Sequence, residues 1–120
     1  MVKIKKCLLL LIMVISSHTV LADCGKGNVY EDLACYDKQI KQDKVKLNKT
    51  YDALSKSLDN DGQKQLELSQ KAWLSYREAQ CAGLMGYYGA QAQGAGSALI
   101  QQSCLSEKIS QRIKELNDLK

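Results

Sequence analysis

The chain has 120 residues with 17 Lys and Arg against 13 Asp and Glu, a formal charge of +4, five cysteines, a single histidine and no proline. That length holds one domain with a modest core. His18 and three of the 17 basic residues fall within residues 1–22 and none of the 13 acidic ones do, so 14 against 13 leaves +1 and no imidazole beyond residue 22, which excludes Cys-His and Ser-His catalysis and His-based metal sites and removes the main support for a nucleic-acid or anionic-membrane partner.

Residues 1–22 read as a secretory signal peptide. Lys3, Lys5 and Lys6 precede an apolar run from Cys7 to Ile15, and Val20-Leu21-Ala22 forms a signal-peptidase site. The run is shorter than the roughly 20 residues a membrane-spanning helix needs. The expectation is export followed by a soluble life in the periplasm or outside the cell, as one domain over residues 23–120. Leu21-Ala22-Asp23-Cys24 also has the outline of a lipoprotein box, but the aspartate before the cysteine favours plain cleavage after Ala22 over a lipid anchor on Cys24.

Four cysteines follow, Cys24, Cys35, Cys81 and Cys104. An even number in a small exported domain predicts two disulfides, each contributing on the order of 2–4 kcal/mol. A four-thiolate zinc site is the rival, and the spacings of 11, 46 and 23 positions contain no close cysteine pair of the kind such sites use. No metal and no cofactor are expected.

Asp23 to Gly27 is an irregular lead-in. Asn28 with Glu31 three positions on has the form of a capping box, so a first helix begins near Val29. Leu33, Tyr36, Ile40, Leu47, Tyr51, Leu54 and Leu58 then recur at spacings of three, four and seven, an apolar stripe with one gap where Asp43 or Lys44 sits. Asp59-Asn60-Asp61-Gly62 supplies a turn and an N-cap, making the next helix an antiparallel neighbour of the first.

The second helix carries the only tryptophan. Leu66, Gln70, Trp73, Arg77 and Cys81, with Leu84 beyond, project from one side. Trp73 reads as the core anchor. Counted from a turn near residue 61, Asp43 and Arg77 come level, which predicts a structural ion pair between them, with Arg77 snorkelling to water as the alternative.

From Gly83 to Ser97 the composition shifts to glycine, alanine and glutamine with Tyr87 and Tyr88. The central helix is expected to stop near Gly86, with a loop after it and Ser97 as the N-cap of a third helix. In that helix Leu99 or Ile100, Cys104 or Leu105, Ile109, Ile113 and Leu116 recur with helical spacing. If the reversal is centred near residue 92, Cys81 lies 11 positions before it and Cys104 lies 12 after. That prefers a Cys81–Cys104 bridge and leaves Cys24 with Cys35, one of three possible connectivities. The fold expected is all-α: a small disulfide-linked bundle of three helices, a long antiparallel hairpin plus a C-terminal helix.

Leu47-Asn48 with Tyr51 and Leu54, Gln70-Lys71-Ala72-Trp73-Leu74, Tyr76-Arg77-Glu78-Ala79 with Cys81, Gly94-Ala95-Gly96-Ser97, Cys104, Arg112 and Leu116 together closely resemble the LprI-type lysozyme inhibitor domain family, over essentially all of residues 23–120. Ala95 stands where that family usually has a glycine beside Gly94 or Gly96, and Ile109 where it often has a threonine. The resemblance implies a helical, disulfide-linked envelope protein, with some members inhibiting lysozyme or acting as immunity proteins against wall-degrading toxins.

Three function classes follow. The first is an exported binding protein that blocks a lysozyme or another peptidoglycan-cleaving enzyme. Its contact surface would be Tyr87, Tyr88, Gly94, Gly96 and Ser97, because adjacent tyrosines are amphipathic anchors and glycines allow close backbone approach. The competing role for those tyrosines is to cover the end of the core. The second class is a non-catalytic structural or stress protein of the envelope with another protein partner. An enzyme is the least supported, since Glu31, Asp32, Glu67, Glu78 and Glu107 form no spacing that sets two carboxylates on one cleft.

Overall fold

The computed structural model describes residues 24–120, and the signal peptide read over residues 1–22 lies outside them. The described chain is all-helical: α1 (Val29–Ser57), α2 (Asn60–Glu78), a π-helical turn (Ala79–Leu84), α3 (Met85–Gly89) and α4 (Gly96–Asn117). Two reversals of direction make this a three-helix, up-down-up arrangement in which α2, the π turn and α3 form one continuous rod.

The start of α1 follows from its capping box. The Asn28 side chain accepts from the Tyr30 and Glu31 amides, each at 3.0 Å, and Glu31 Oε2 accepts in return from the Asn28 amide at 3.2 Å. The lead-in before it is tied down as well. Buried Asp32 accepts from the amides of Gly25 and Gly27, both at 3.0 Å, and Cys24 is bridged to Cys35. At the other end of α1 the chain turns through Leu58 and Asp59, whose carboxylate caps α2 by accepting from the Gly62 amide at 2.8 Å.

One core runs through all three rods. Ile40, Leu47 and Leu54 of α1 meet Leu66 and Trp73 of α2 and Ile109, Ile113 and Leu116 of α4, with Tyr36, Tyr51, Leu58 and Leu105 packed at its margin. The hairpin partner of α1 is α2, yet the backbone that α1 approaches most closely is that of α4. Side-chain size accounts for this. Buried Thr50 on α1 and buried Ser106 on α4 are small, whereas α2 presents the Trp73 indole with the Arg77 guanidinium beside it, bulk that keeps its axis farther from α1.

Two boundaries differ from expectation. The central helix does not stop near Gly86: its hydrogen bonding passes through the π turn and continues to Gly89, and the Ala90 amide still bonds the Gly86 carbonyl at 2.9 Å. The loop is therefore short, residues 90–95. Nor is Ser97 a cap, because α4 begins at Gly96 with Ala95 in the capping position and Ser97 already inside the first turn. Gly94, at φ +63°, takes the left-handed conformation that turns the chain there, so the helix starts before the serine is reached.

Candidate functional site

The π turn decides which residues face outward at the end of the central rod. In an uninterrupted α-helix the core face that contains Cys81 would continue through Leu84 and Tyr88. The extra residue absorbed by the π turn delays that face by one position. Buried Cys81 is followed by half-buried Met85 and then buried Gly89, while Leu84 and Tyr88 are 48% and 55% exposed. Leu84 thus leaves the apolar stripe on which its spacing placed it.

Tyr87 is 66% exposed. Its ring lies edge-on to that of Tyr88 with centroids 5.4 Å apart, so the two phenols form one projecting pair rather than a cover over the core. Beneath them Gly89 meets α4 at very short range: a β-carbon built there would lie 3.1 Å from Ser97 Oγ and 3.3 Å from the Ser97 backbone. Ser97 is half-buried in this contact and so supports the tip from below. Gly96 is half-buried beside Ala92, whereas Gly94 sits exposed in the loop with open space around it. Of the five residues singled out for contact, Tyr87, Tyr88 and Gly94 are exposed, and Gly96 and Ser97 shape the turn behind them.

Charge sharpens the outline of this tip. No residue between Glu78 and Glu107 carries a charge, so the π turn, α3, the loop and the first half of α4 present only apolar, amide and hydroxyl groups. That signal is readable in the sequence alone. A second bridge, Cys81–Cys104, with Cα atoms 5.5 Å apart, pins the start of the tip to α4. All four cysteines are thereby engaged in disulfides, and among the described residues no group of metal-binding side chains occurs.

Behind the tip, Trp73 is flanked by two cations. The Arg77 guanidinium carbon lies 5.2 Å from the ring centroid and that of Arg112 lies 5.9 Å away. Arg112 is buried and fully engaged, donating from Nε to Gln70 at 3.0 Å, from one terminal nitrogen to Ser69 at 2.8 Å and from the other to Glu115 at 3.0 Å. It clamps α4 to α2, a role that periodicity gave no reason to assign.

Arg77 is arranged differently. The expected ion pair with Asp43 is absent among the described residues; Asp43 instead accepts from Gln39 on its own helix at 3.0 Å. The Arg77 side chain is half-buried: the Nε is covered and has no hydrogen-bond partner, while the terminal nitrogens make no hydrogen bond or ion pair among the described residues, as in a head group raised to water. Level positions fail to touch because α2 stands off from α1. Lys44, not Asp43, turns toward the intervening cleft that Arg77 lines. On the outer surface of α2, Lys71 binds Glu67 at 2.6 Å, and this hydrogen bond and the charge attraction hold the Glu67 carboxyl below its ordinary range and the lysine above its own.

No curated protein and no solved structure matches the chain. The model of one family, the lysozyme inhibitor LprI, matches residues 24–116. That span reaches from the first bridging cysteine to the last core leucine, and the family is an inhibitor family, which together with the two disulfides suggests a non-catalytic protein placed outside the cytoplasm. With the match covering nearly all of the helical domain, the chain belongs to the LprI lysozyme inhibitor family.

Proposed function

We propose that this protein is a periplasmic or secreted inhibitor of a lysozyme or another peptidoglycan-cleaving enzyme, serving as an immunity protein for the cell wall, and that Tyr87 and Tyr88 are its anchors. The observation that carries the reading is the exposed tyrosine pair on a charge-free tip held in place by the Cys81–Cys104 bridge. Interface centres are depleted of charge and enriched in tyrosine, and an anchor held rigid before binding loses less entropy on docking. The family membership supports a protein partner of this class.

Electrostatics shape the expectation further. A charge of +1 after removal of residues 1–22 provides no long-range attraction for a basic lysozyme, so inhibition depends on local fit at the tip. The affinity should then change little between low and physiological salt. Cleavage after Ala22 without lipid attachment is supported by the Cys24–Cys35 bridge, which occupies the sulfur that an acyl anchor would need.

The test adds the oxidised protein to lysozymes of different types and to envelope-directed muramidases and amidases. Inhibition of at least one of them at micromolar concentration is expected. In the double variant Tyr87→Ala, Tyr88→Ala, inhibition should weaken at least about tenfold, as for loss of a hot-spot pair, with the melting temperature unchanged. If none of the enzymes is slowed, the inhibitor reading falls. A collapse in the variant's stability would return both tyrosines to the core.

A further inference from the structure

Between α1 and α2, where the two helices stand apart, lies a cleft of about 360 Å³ lined by Lys44, Leu47, Asn48 and Tyr51 on one side and Gln70, Leu74 and Arg77 on the other. We propose that this cleft binds a small amphipathic carboxylate, such as an N-acylated amino acid, through Arg77 and Lys44. It is a separate site from the tyrosine tip, and it does not rest on the inhibitor reading.

The donor inventory comes first. Every polar side chain in the lining can donate a hydrogen bond, and none is a carboxylate. The two cations have no acidic partner among the described residues. Asp43 is held by Gln39 and Glu67 by Lys71, while Glu78, next to Arg77 in sequence, lines the separate pocket toward Cys81 and Gln101 and not this cleft. A groove edged by two unpaired cations with no acid inside it is a site for an anion.

Arg77 supplies the more specific argument. Its Nε is covered by protein, so the nitrogens open to an acceptor in the cleft are the two terminal ones of this half-buried side chain, which make no hydrogen bond among the described residues. The guanidinium is stacked on Trp73 at 5.2 Å, which occupies one face and leaves its edge as the direction for hydrogen bonds. A planar fork held in this way matches a planar, two-oxygen acceptor, and stacking means that little side-chain freedom is lost on binding. Lys44 on the exposed rim adds a point charge without geometric demand.

The remainder of the lining describes the ligand body. Buried Leu47, with Leu74 and the half-buried Tyr51 ring, offers an apolar bed, and the Asn48 and Gln70 amides can meet an acyl amide. A volume of about 360 Å³ lies toward the small end of ligand pockets. One anionic head on a short apolar body fits these features, whereas a compact inorganic anion would leave the bed unfilled.

The experiment is an amide-resolved NMR titration of the oxidised full-length mature protein with three probes: N-acetyl-L-leucine, its neutral amide N-acetyl-L-leucinamide, and inorganic phosphate. Saturable shifts at residues 44–51 and 70–77 are expected with the acid alone, weakening as salt is raised. Arg77→Gln should weaken binding at least about tenfold, the loss of a charge-assisted pair, and Lys44→Gln several-fold. Lys44 is exposed, so its variant keeps the test available if Arg77→Gln does not fold. No saturable response to the acid, an equal response to the neutral amide, or saturation by phosphate alone would each overturn the assignment. Hydrolase inhibition can fail without affecting any of these outcomes.

Discussion

Trp73 and its two arginines show how residues of the same type come to do different things in one cluster. Arg112 has a partner for each of its three nitrogens and sits 8% exposed between α2 and α4, so its removal takes away bonds that a charged donor makes in a poorly hydrated place. Arg112→Met should lower the unfolding free energy by about 2–3 kcal/mol, read from urea denaturation. Arg77→Met should behave in the opposite sense. It deletes a buried donor that has no acceptor and replaces it with an apolar chain of similar reach on the Trp73 face, so stability should stay level or rise. Gly89 forms a third case, since a methyl there would press on the Ser97 backbone at 3.3 Å. Gly89→Ala should cost about 1–3 kcal/mol by overpacking, with the loss visible in a thermal melt.

At the scale of helices, the π turn at Ala79–Leu84 controls the orientation of the tip. A one-residue insertion in a helix rotates everything after it by about 100° unless a π turn absorbs the extra residue locally. Deleting exposed Ala82 should therefore convert the turn to ordinary α-helix while Met85 and Gly89 keep facing α4 and the tyrosines stay outside. The deletion variant should retain its helical circular dichroism and its Cys81–Cys104 bridge. Deleting Ala72 within α2 has no bulge to relax, and it should put Trp73 out of phase with Leu66 and abolish cooperative unfolding. The reverse pattern, with the Ala82 deletion unfolded and the Ala72 deletion tolerated, would contradict this account of the tip. Periodicity alone could not reveal the slip, because the stretch after Cys81 is mostly glycine, alanine and glutamine and carries almost no hydropathic phase.

For the molecule as a whole, the core divides unevenly along its length. Leu54, Leu58, Leu66, Ile113 and Leu116 gather near the α1–α2 turn, whereas the far end has the bridges and the tip. The Cys81–Cys104 bridge, 23 positions apart in sequence, is thus the principal restraint on an apolar-poor end. Replacing both cysteines with alanine should cost about 3 kcal/mol. Amide exchange should quicken over residues 79–105 while the end near Leu116 stays protected. Uniform loss of protection would mean that the bridge stabilises the whole bundle and not the tip.

Much of this architecture is legible in the amino-acid order because its causes are local. The capping box at Asn28 and Glu31, the turn at Asp59 and the leucine and isoleucine stripes each act over one or two helical turns, so neighbours in sequence determine them. The count around residue 92 places Cys81 level with Cys104 for the same reason, since helical rise is regular. Contacts between helices obey a different rule. Asp43 and Arg77 come level in a count of residues yet do not meet, because the width of the gap between α1 and α2 is set by the volume of Trp73 and Arg77 on α2, and α1 closes on α4 instead. Leu84 and Tyr88 leave the buried face because packing at Gly89 and Ser97 decides where an extra residue is absorbed. The sequence by itself determined the three helical rods, the caps at Asn28 and Asp59, the bridge pairing and the family, but not where the central rod ends or where the last helix starts. Only the tertiary structure decided which faces meet, which cation is left without a partner and which tyrosines look outward, because those outcomes depend on volumes summed across three helices and not on the spacing within any one of them.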